Sequence, residues 1–266
     1  MRKSLLSLAV LSTFAVPALS FADEVAPVVV PAAEAAPVNT VAYNVGLFSQ
    51  YIFRGLTQTA NKPAIQGGVD YTHASGFYLG TWASNVSWLG DAASYNSATG
   101  YKNSSLELDL YGGYRGAIKD VSYDVGLLQY VYPGTPNAGV PRAETTEVYG
   151  ALTYKWVTAK LSVAVSDKVF GITNASGTYY ADITANYPVT DTITATAHVG
   201  RQEYSGTNND VNSYTDWKIG ASKAFANGVT VGAYYTDTNA KVSSYEVYAG
   251  GNIADAQGTI YVQKTF

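Results

Sequence analysis

Apolar and polar side chains alternate one for one along most of this chain. Leu106-Glu-Leu-Asp-Leu110 is the clearest stretch, with three leucines facing one way and two acids the other. A period of two marks a strand with one apolar and one polar face. From Val41 onward the alternation recurs about twelve times, in stretches of about 9–11 residues, the length a tilted strand needs to cross a bilayer. Val41–Gly55 reads as the first, with Tyr43, Val45, Leu47, Tyr51 and Phe53 opposite Asn44, Gly46, Gln50 and Arg54. Lys62–Thr72, Phe77–Trp88, Leu106 onward, Val121–Tyr132, Thr145–Lys155 and Thr158–Ser166 come next. Tyr179–Tyr187, Thr192–Gln202, Tyr214–Lys223, Val229–Thr236 and the closing Gly258–Phe266 complete the series.

The connections alternate in length. His73–Gly76, Gly116–Asp120, Lys155–Val157, Pro188–Asp191 and Ala224–Gly228 are short. Gly90–Ser105, Pro133–Glu144, Asp167–Gly177, Ser205–Asn212 and Thr238–Gln257 are longer and rich in Asn, Ser, Gly and Thr, while Leu56–Asn61 is a short member of that side. Short periplasmic turns, longer extracellular loops and an even strand count describe an all-β, transmembrane, antiparallel up-and-down β-barrel of about 12 strands. The last strand would leave an open edge unless the first covers it, which closes the sheet. A soluble β-sandwich alternates in the same way with its apolar face inward, and periodicity alone does not say which face is which.

The two ends of the chain separate these readings. Arg2 and Lys3 precede the apolar run Leu5–Val16, and Ser20-Phe21-Ala22 offers small residues for cleavage, so residues 1–22 read as a signal peptide. The Ala-, Pro- and Val-rich residues 23–40 read as an extended periplasmic linker, because repeated prolines forbid a helix or an interior strand. Residues 41–266 form the barrel. The terminal Phe266 matches the aromatic end that the barrel-assembly machinery reads, which makes it the expected assembly signal. The destination is then the bacterial outer membrane, with its lipid as the barrel's surroundings.

Composition adjusts the picture in three places. Lys+Arg 16 against Asp+Glu 20 gives a net charge of −4, and loss of Arg2 and Lys3 takes it to −6, which excludes a nucleic-acid binder. Tyr 23 against Phe 8 suits rings buried with their hydroxyls wet. No cysteine is present, so no disulfide is expected, and no cofactor or metal is called for; the Asn208–Asn212 loop lacks calcium-loop spacing.

Several stretches resemble the TorF-type porin family, a group of Gram-negative outer-membrane proteins once classed as a conserved domain of unknown function. They are Tyr51-Ile-Phe-Arg-Gly-Leu-Thr-Gln-Thr59, Lys62-Pro-Ala-Ile-Gln-Gly-Gly68, Gly76-Phe-Tyr-Leu-Gly-Thr-Trp-Ala-Ser-Asn85, Leu106-Glu-Leu-Asp-Leu-Tyr-Gly-Gly113, Thr145-Thr-Glu-Val-Tyr149 and Tyr214-Thr-Asp-Trp-Lys218. The resemblance spans essentially 41–266 and implies a single outer-membrane barrel with a channel role, and no catalytic residues.

If the apolar faces meet lipid, the opposite faces line the lumen. The lumen acids are then Asp70, Glu107, Asp109, Asp124, Glu147, Asp182 and Asp216, and the bases are Arg54, Lys160 and Lys218, with His198 beside them. Seven against three leaves four excess negative charges, so the expected function is passive diffusion of small hydrophilic solutes with weak cation preference. Arg54 and Asp70 are the expected ion pair, on strands joined by the first hairpin. Two alternatives are a substrate-specific channel with Tyr111, Tyr130, Tyr149 and Tyr180 as a stacking track, and a non-conducting barrel whose loops bind partners. A lipid hydrolase is disfavoured, because His73 and His198 are the only histidines and neither belongs to a recognisable triad. Oligomeric state is not legible.

Overall fold

The computed structural model describes residues 38–96, 99–248 and 251–266. The signal peptide and residues 23–37 of the expected linker lie outside the described residues. In chain order the elements are β1 (Asn39–Phe48), β2 (Ile52–Phe53), β3 (Leu56–Thr57), β4 (Ala64–His73), β5 (Phe77–Asn85), α1 (Trp88–Tyr95), β6 (Leu106–Ile118), β7 (Val121–Val131) and β8 (Thr145–Tyr154). They continue with β9 (Val157–Ala164), β10 (Tyr179–Pro188), β11 (Ile193–Glu203), β12 (Tyr214–Ala224), β13 (Val229–Thr238), α2 (Val242–Tyr245), β14 (Glu246–Tyr248), β15 (Gly251–Asn252) and β16 (Gln257–Thr265). The strand pairs β2–β3 and β14–β15 stand apart from the wall.

β1 pairs antiparallel with both β4 and β16, and this closes a barrel in the order β1-β16-β13-β12-β11-β10-β9-β8-β7-β6-β5-β4. Those are twelve strands, as the alternation predicts. Closure leaves the sheet without an edge, the condition for it to sit in hydrocarbon.

Alternation is resolved apolar side outward. Leu47, Ile65, Leu79, Leu110, Leu152, Leu161, Ile183, Ile219 and Ile260 lie on the exposed face. The inward face holds Gln66, Asp70, Glu107, Asp109, Glu147, Asp216, Lys218 and Gln263, all buried. That is the inverse of a sandwich. Exposed aromatics collect near the short turns (Phe77, Tyr154, Trp156, Tyr187, Phe225) and near the long loops (Tyr179, Trp217, Tyr235), the two belts of a membrane-spanning barrel.

Several boundaries differ from the sequence reading. β1 begins at Asn39, inside the expected linker, and ends at Phe48 rather than Gly55. Tyr51 and Phe53 continue its parity on paper, yet both are buried inside the barrel, because the chain turns inward at Ser49. Within the stretch read as Phe77–Trp88, β5 stops at Asn85 and Trp88 opens a helix that packs on the barrel's interior cluster. The turn after β6 is only Lys119–Asp120, with Lys119 in the left-handed region.

Inside the wall, tyrosine rings lie over glycines of the neighbouring strand. A Cβ on Gly80 would stand 2.3 Å from Tyr111, one on Gly126 2.5 Å from Tyr149, and one on Gly200 2.0 Å from Tyr180. Gly80 and Tyr111 are cross-strand partners, as are Gly126 and Tyr149. The ring covers the backbone a glycine leaves bare, which fixes these inward tyrosines against the wall and narrows the lumen. Replacement of Gly126 by valine is expected to eject the Tyr149 ring at a cost of about 1–3 kcal/mol. A lower denaturant midpoint of the heat-modifiable folded form checks this, and an unchanged midpoint would discard the ring-on-glycine account.

Candidate functional site

The lumen is built around the segment between β1 and β4. β2 and β3 pair Ile52 with Thr57 and Phe53 with Leu56, and the tip is Arg54-Gly55. Both tip residues have positive φ, 47° and 79°, the geometry of a two-residue hairpin turn. Gly55 is required for a second reason: a Cβ there would lie 2.6 Å from Thr238 and 2.7 Å from Asp216. The hairpin enters the barrel because its side chains are apolar at Tyr51, Ile52, Phe53 and Leu56, and all four are buried. Tyr51 meets Trp82 edge-on at 5.4 Å, and Phe53 meets Tyr130 and Phe170 at 5.6 Å each. On the loop side, Leu56 packs with Tyr214, Tyr245, Ile253 and Ala254, so the long connection after β13 caps the hairpin.

Two carboxylates anchor the inward segment, Glu147 at its tip and Glu107 at its base. Arg54 donates Nη1 to Glu147 Oε1 at 3.1 Å and Nη2 to Oε2 at 2.8 Å, a two-point pair with side chains 7% and 2% exposed. Its Nη1 also donates to Gln202 Oε1 at 2.8 Å, and the guanidinium lies 4.4 Å from the Tyr180 ring centre. Tyr51 donates its hydroxyl to Glu107 at 2.6 Å. The expected Arg54–Asp70 pair does not form. Asp70 instead accepts the Tyr111 hydroxyl at 2.6 Å, and the inward turn at Ser49 carries Arg54 across the lumen to β8 and β11.

Below Arg54 lies a cavity of about 170 Å³. Ile52–Gly55 of the hairpin are one side of it, and Thr153 and Thr158, paired beside the turn that joins β8 to β9, mark how near it comes to the short-turn end. Asp124, Lys160, Asp182, His198, Asp216 and Lys218 all contribute to its lining. His198 is engaged on both nitrogens: Nδ1 is 2.7 Å from the Thr184 hydroxyl, and Nε2 is 2.9 Å from the Tyr180 hydroxyl and 3.2 Å from Asp216. Tyr180 donates to Asp216 at 2.8 Å, and Asp182 is 3.8 Å from His198. Lys160 sits over the Tyr149 ring at 4.5 Å and Lys218 over Tyr234 at 5.3 Å.

The sequence-predicted lumen residues therefore separate into two groups. Glu107, Asp109 and Glu147 belong to the layer that the hairpin closes, while Asp124, Lys160, Asp182, His198, Asp216 and Lys218 surround the cavity, with Arg54 between them. Asp70 is apart from both, on β4. One lumen base was not anticipated. Arg115, of the same parity along β6 as Glu107, Asp109 and Tyr111, pairs with Asp124 at 2.9 Å and stacks on Tyr78 at 3.8 Å. The Leu106–Leu110 alternation, carried on along β6, places it inside, and its inclusion lowers the acidic excess from four to three. The expected tyrosine track is also altered. The hydroxyls of Tyr111 and Tyr180 bond to Asp70 and Asp216, and those of Tyr78 and Tyr149 meet each other, so the rings are fixtures of the wall.

These features define a class: a closed antiparallel barrel, apolar outside and polar within, with a charged cavity under an inward hairpin. Solved structures share that fold. A KdgM porin superposes with a TM-score of 0.53 at 8% identity, covering 85% of this chain and 99% of its own. A NanC porin gives 0.51 at 8% identity with the same coverages. A KdgM porin in complex with disordered oligogalacturonate gives 0.50 at 8%, covering 86% of this chain and 99% of its own. The fold is that of the porins. By sequence, residues 32–266 match the family described as "Bacterial protein of unknown function (Gcw_chp)", and the chain belongs to that family. No curated protein matches it.

The Tyr51–Glu107 contact is open to direct measurement. Tyr51→Phe leaves a buried carboxylate short of a donor and is expected to lower stability by about 1–3 kcal/mol. Adding Glu107→Gln should recover most of the loss in the same denaturation assay, whereas additive losses would mean the hydroxyl is incidental.

Proposed function

We propose that this protein is an outer-membrane channel of the TorF-type porin kind, through which small hydrophilic solutes diffuse passively. The observation that carries the reading is a charged, polar cavity inside a barrel whose outer surface is apolar. Short turns would face the periplasm and long loops the exterior, with Phe266 as the signal for the barrel-assembly machinery and residues 1–22 directing export. Phe266 is exposed, and its backbone exchanges hydrogen bonds with Tyr43 at the closing seam, where such a signal would be read.

Charge supports a weak cation preference. Over the whole lumen seven acids stand against four bases once Arg115 is counted. In the cavity lining itself Asp124, Asp182 and Asp216 oppose Arg54, Lys160 and Lys218, three against three. The excess thus lies among Asp70, Glu107, Asp109 and Glu147, away from the cavity lining, where it contributes a modest field to permeating ions. A KdgM porin is known in complex with oligogalacturonate, an acidic chain. The balanced cavity here offers a polyanion no net attraction, which favours small neutral or cationic solutes. Catalysis is the weaker reading, since both nitrogens of the lumen histidine are held by the wall.

Planar-bilayer recording of the refolded protein under a salt gradient tests this. Discrete current steps with a small cation-leaning reversal potential are expected. A clear anion preference would remove the selectivity claim, and a folded but silent barrel would remove the channel.

A further inference from the structure

The hairpin leaves the wall and returns to it at one place. Phe48, at the end of β1, is the cross-strand partner of Ala64, at the start of β4. Displacing residues 49–63 as a unit would therefore open no strand pair of the barrel ladder, and on β16 would break only the bonds of Ser49 and Gln50. Apart from apolar packing, the bonds that fasten them are Arg54 to Glu147 and Gln202, Tyr51 to Glu107, Thr57 N–H to the Ile253 carbonyl, Ser49 and Ile260 to each other, Gln50 Nε2 to the Gly258 carbonyl, Ser87 and Trp88 N–H to the Gln58 carbonyl, and Asn85 Nδ2 to the Pro63 carbonyl.

The layer they close holds three buried carboxyl groups against one guanidinium. Glu107, Asp109 and Glu147 are 1%, 0% and 2% exposed. Glu147 holds Arg54 and Glu107 holds a tyrosine hydroxyl, but no hydrogen bond reaches either oxygen of Asp109 among the described residues. Asp109 lies between Trp82 and Tyr130 across the strands, directly in the wall against which Tyr51 and Phe53 pack. An unpartnered carboxylate sealed from water opposes the arrangement that seals it, and hydration relieves the cost.

We propose that residues 49–63 are a gate on the lumen, latched by the Arg54–Glu147 pair and pushed toward opening by Asp109. This rests on the channel reading above and names its control. In the closed form Arg54 roofs the cavity; when the hairpin swings toward the long loops, the cavity joins the opposite mouth and water reaches Asp109.

The test records single-channel currents from the full chain in four forms, each first confirmed as folded by heat-modifiability. Asp109→Leu keeps the approximate volume and removes the buried, unpartnered polar group, so the fraction of time open should fall by about tenfold or more. Arg54→Gln breaks the latch and should raise it by a similar factor. The pair Gln58→Cys and Ser87→Cys ties the hairpin to the loop beside it, so oxidation should suppress current and reduction restore it. Equal current in oxidised and reduced forms would make the hairpin a fixed constriction and overturn the gate while leaving the channel standing. Wild-type opening in Asp109→Leu would overturn the role of that acid. Silence in every form, including Arg54→Gln, would overturn the channel reading and the gate with it.

Discussion

The pairing of β1 with β16 is the constraint on which the structure depends. A sheet in hydrocarbon cannot leave backbone donors and acceptors bare, since each would forfeit its hydrogen bond with no water to replace it. Closing the ring removes the edge and sets the width of the interior. Twelve strands about 4.8 Å apart and tilted about 40° enclose a backbone cylinder about 24 Å across. The chain fills part of that interior with its own side chains, the inward hairpin and the first turn of α1.

The filling uses two devices. Tyrosine rings laid across glycines line the wall, and their hydroxyls go to acids such as Asp70, Asp124 and Asp216. Bases then neutralise part of the charge, Arg115 on Asp124 along the wall and Arg54 on Glu147 across the lumen. The remaining imbalance is concentrated where the hairpin seats. A barrel that only needed to be stable would place apolar residues there, because a buried ion pair gains little over well-packed hydrocarbon. Retaining three carboxylates at that level makes sense if the segment above them moves.

Much of the wall is legible along the chain. Strand number, inward parity and the hairpin connections come from a period of two and from turn residues, both local properties. The Leu106–Leu110 alternation, extended along β6, leads to Arg115 as well. The end of the first strand is hidden for a physical reason: Gln50, Tyr51, Phe53 and Arg54 keep the strand's parity past Phe48, interrupted at Ile52 and with no glycine or proline to mark the bend, and an aromatic side chain suits lipid and a lumen plug equally. The helix Trp88–Tyr95 escapes the pattern because a short helix inside a loop has too few residues for a 3.6-residue period to stand out.

By itself the sequence determined an antiparallel, twelve-strand, closed β-architecture with one apolar and one polar face, and which residues share each face. Those are consequences of neighbours along the chain. The tertiary structure alone decided that Tyr51 and Phe53 turn into the lumen, that Arg54 crosses to Glu147 instead of returning to Asp70, and that a hairpin stands over the cavity. Each is a contact between residues far apart in sequence, selected by shape and charge only after the ring has closed.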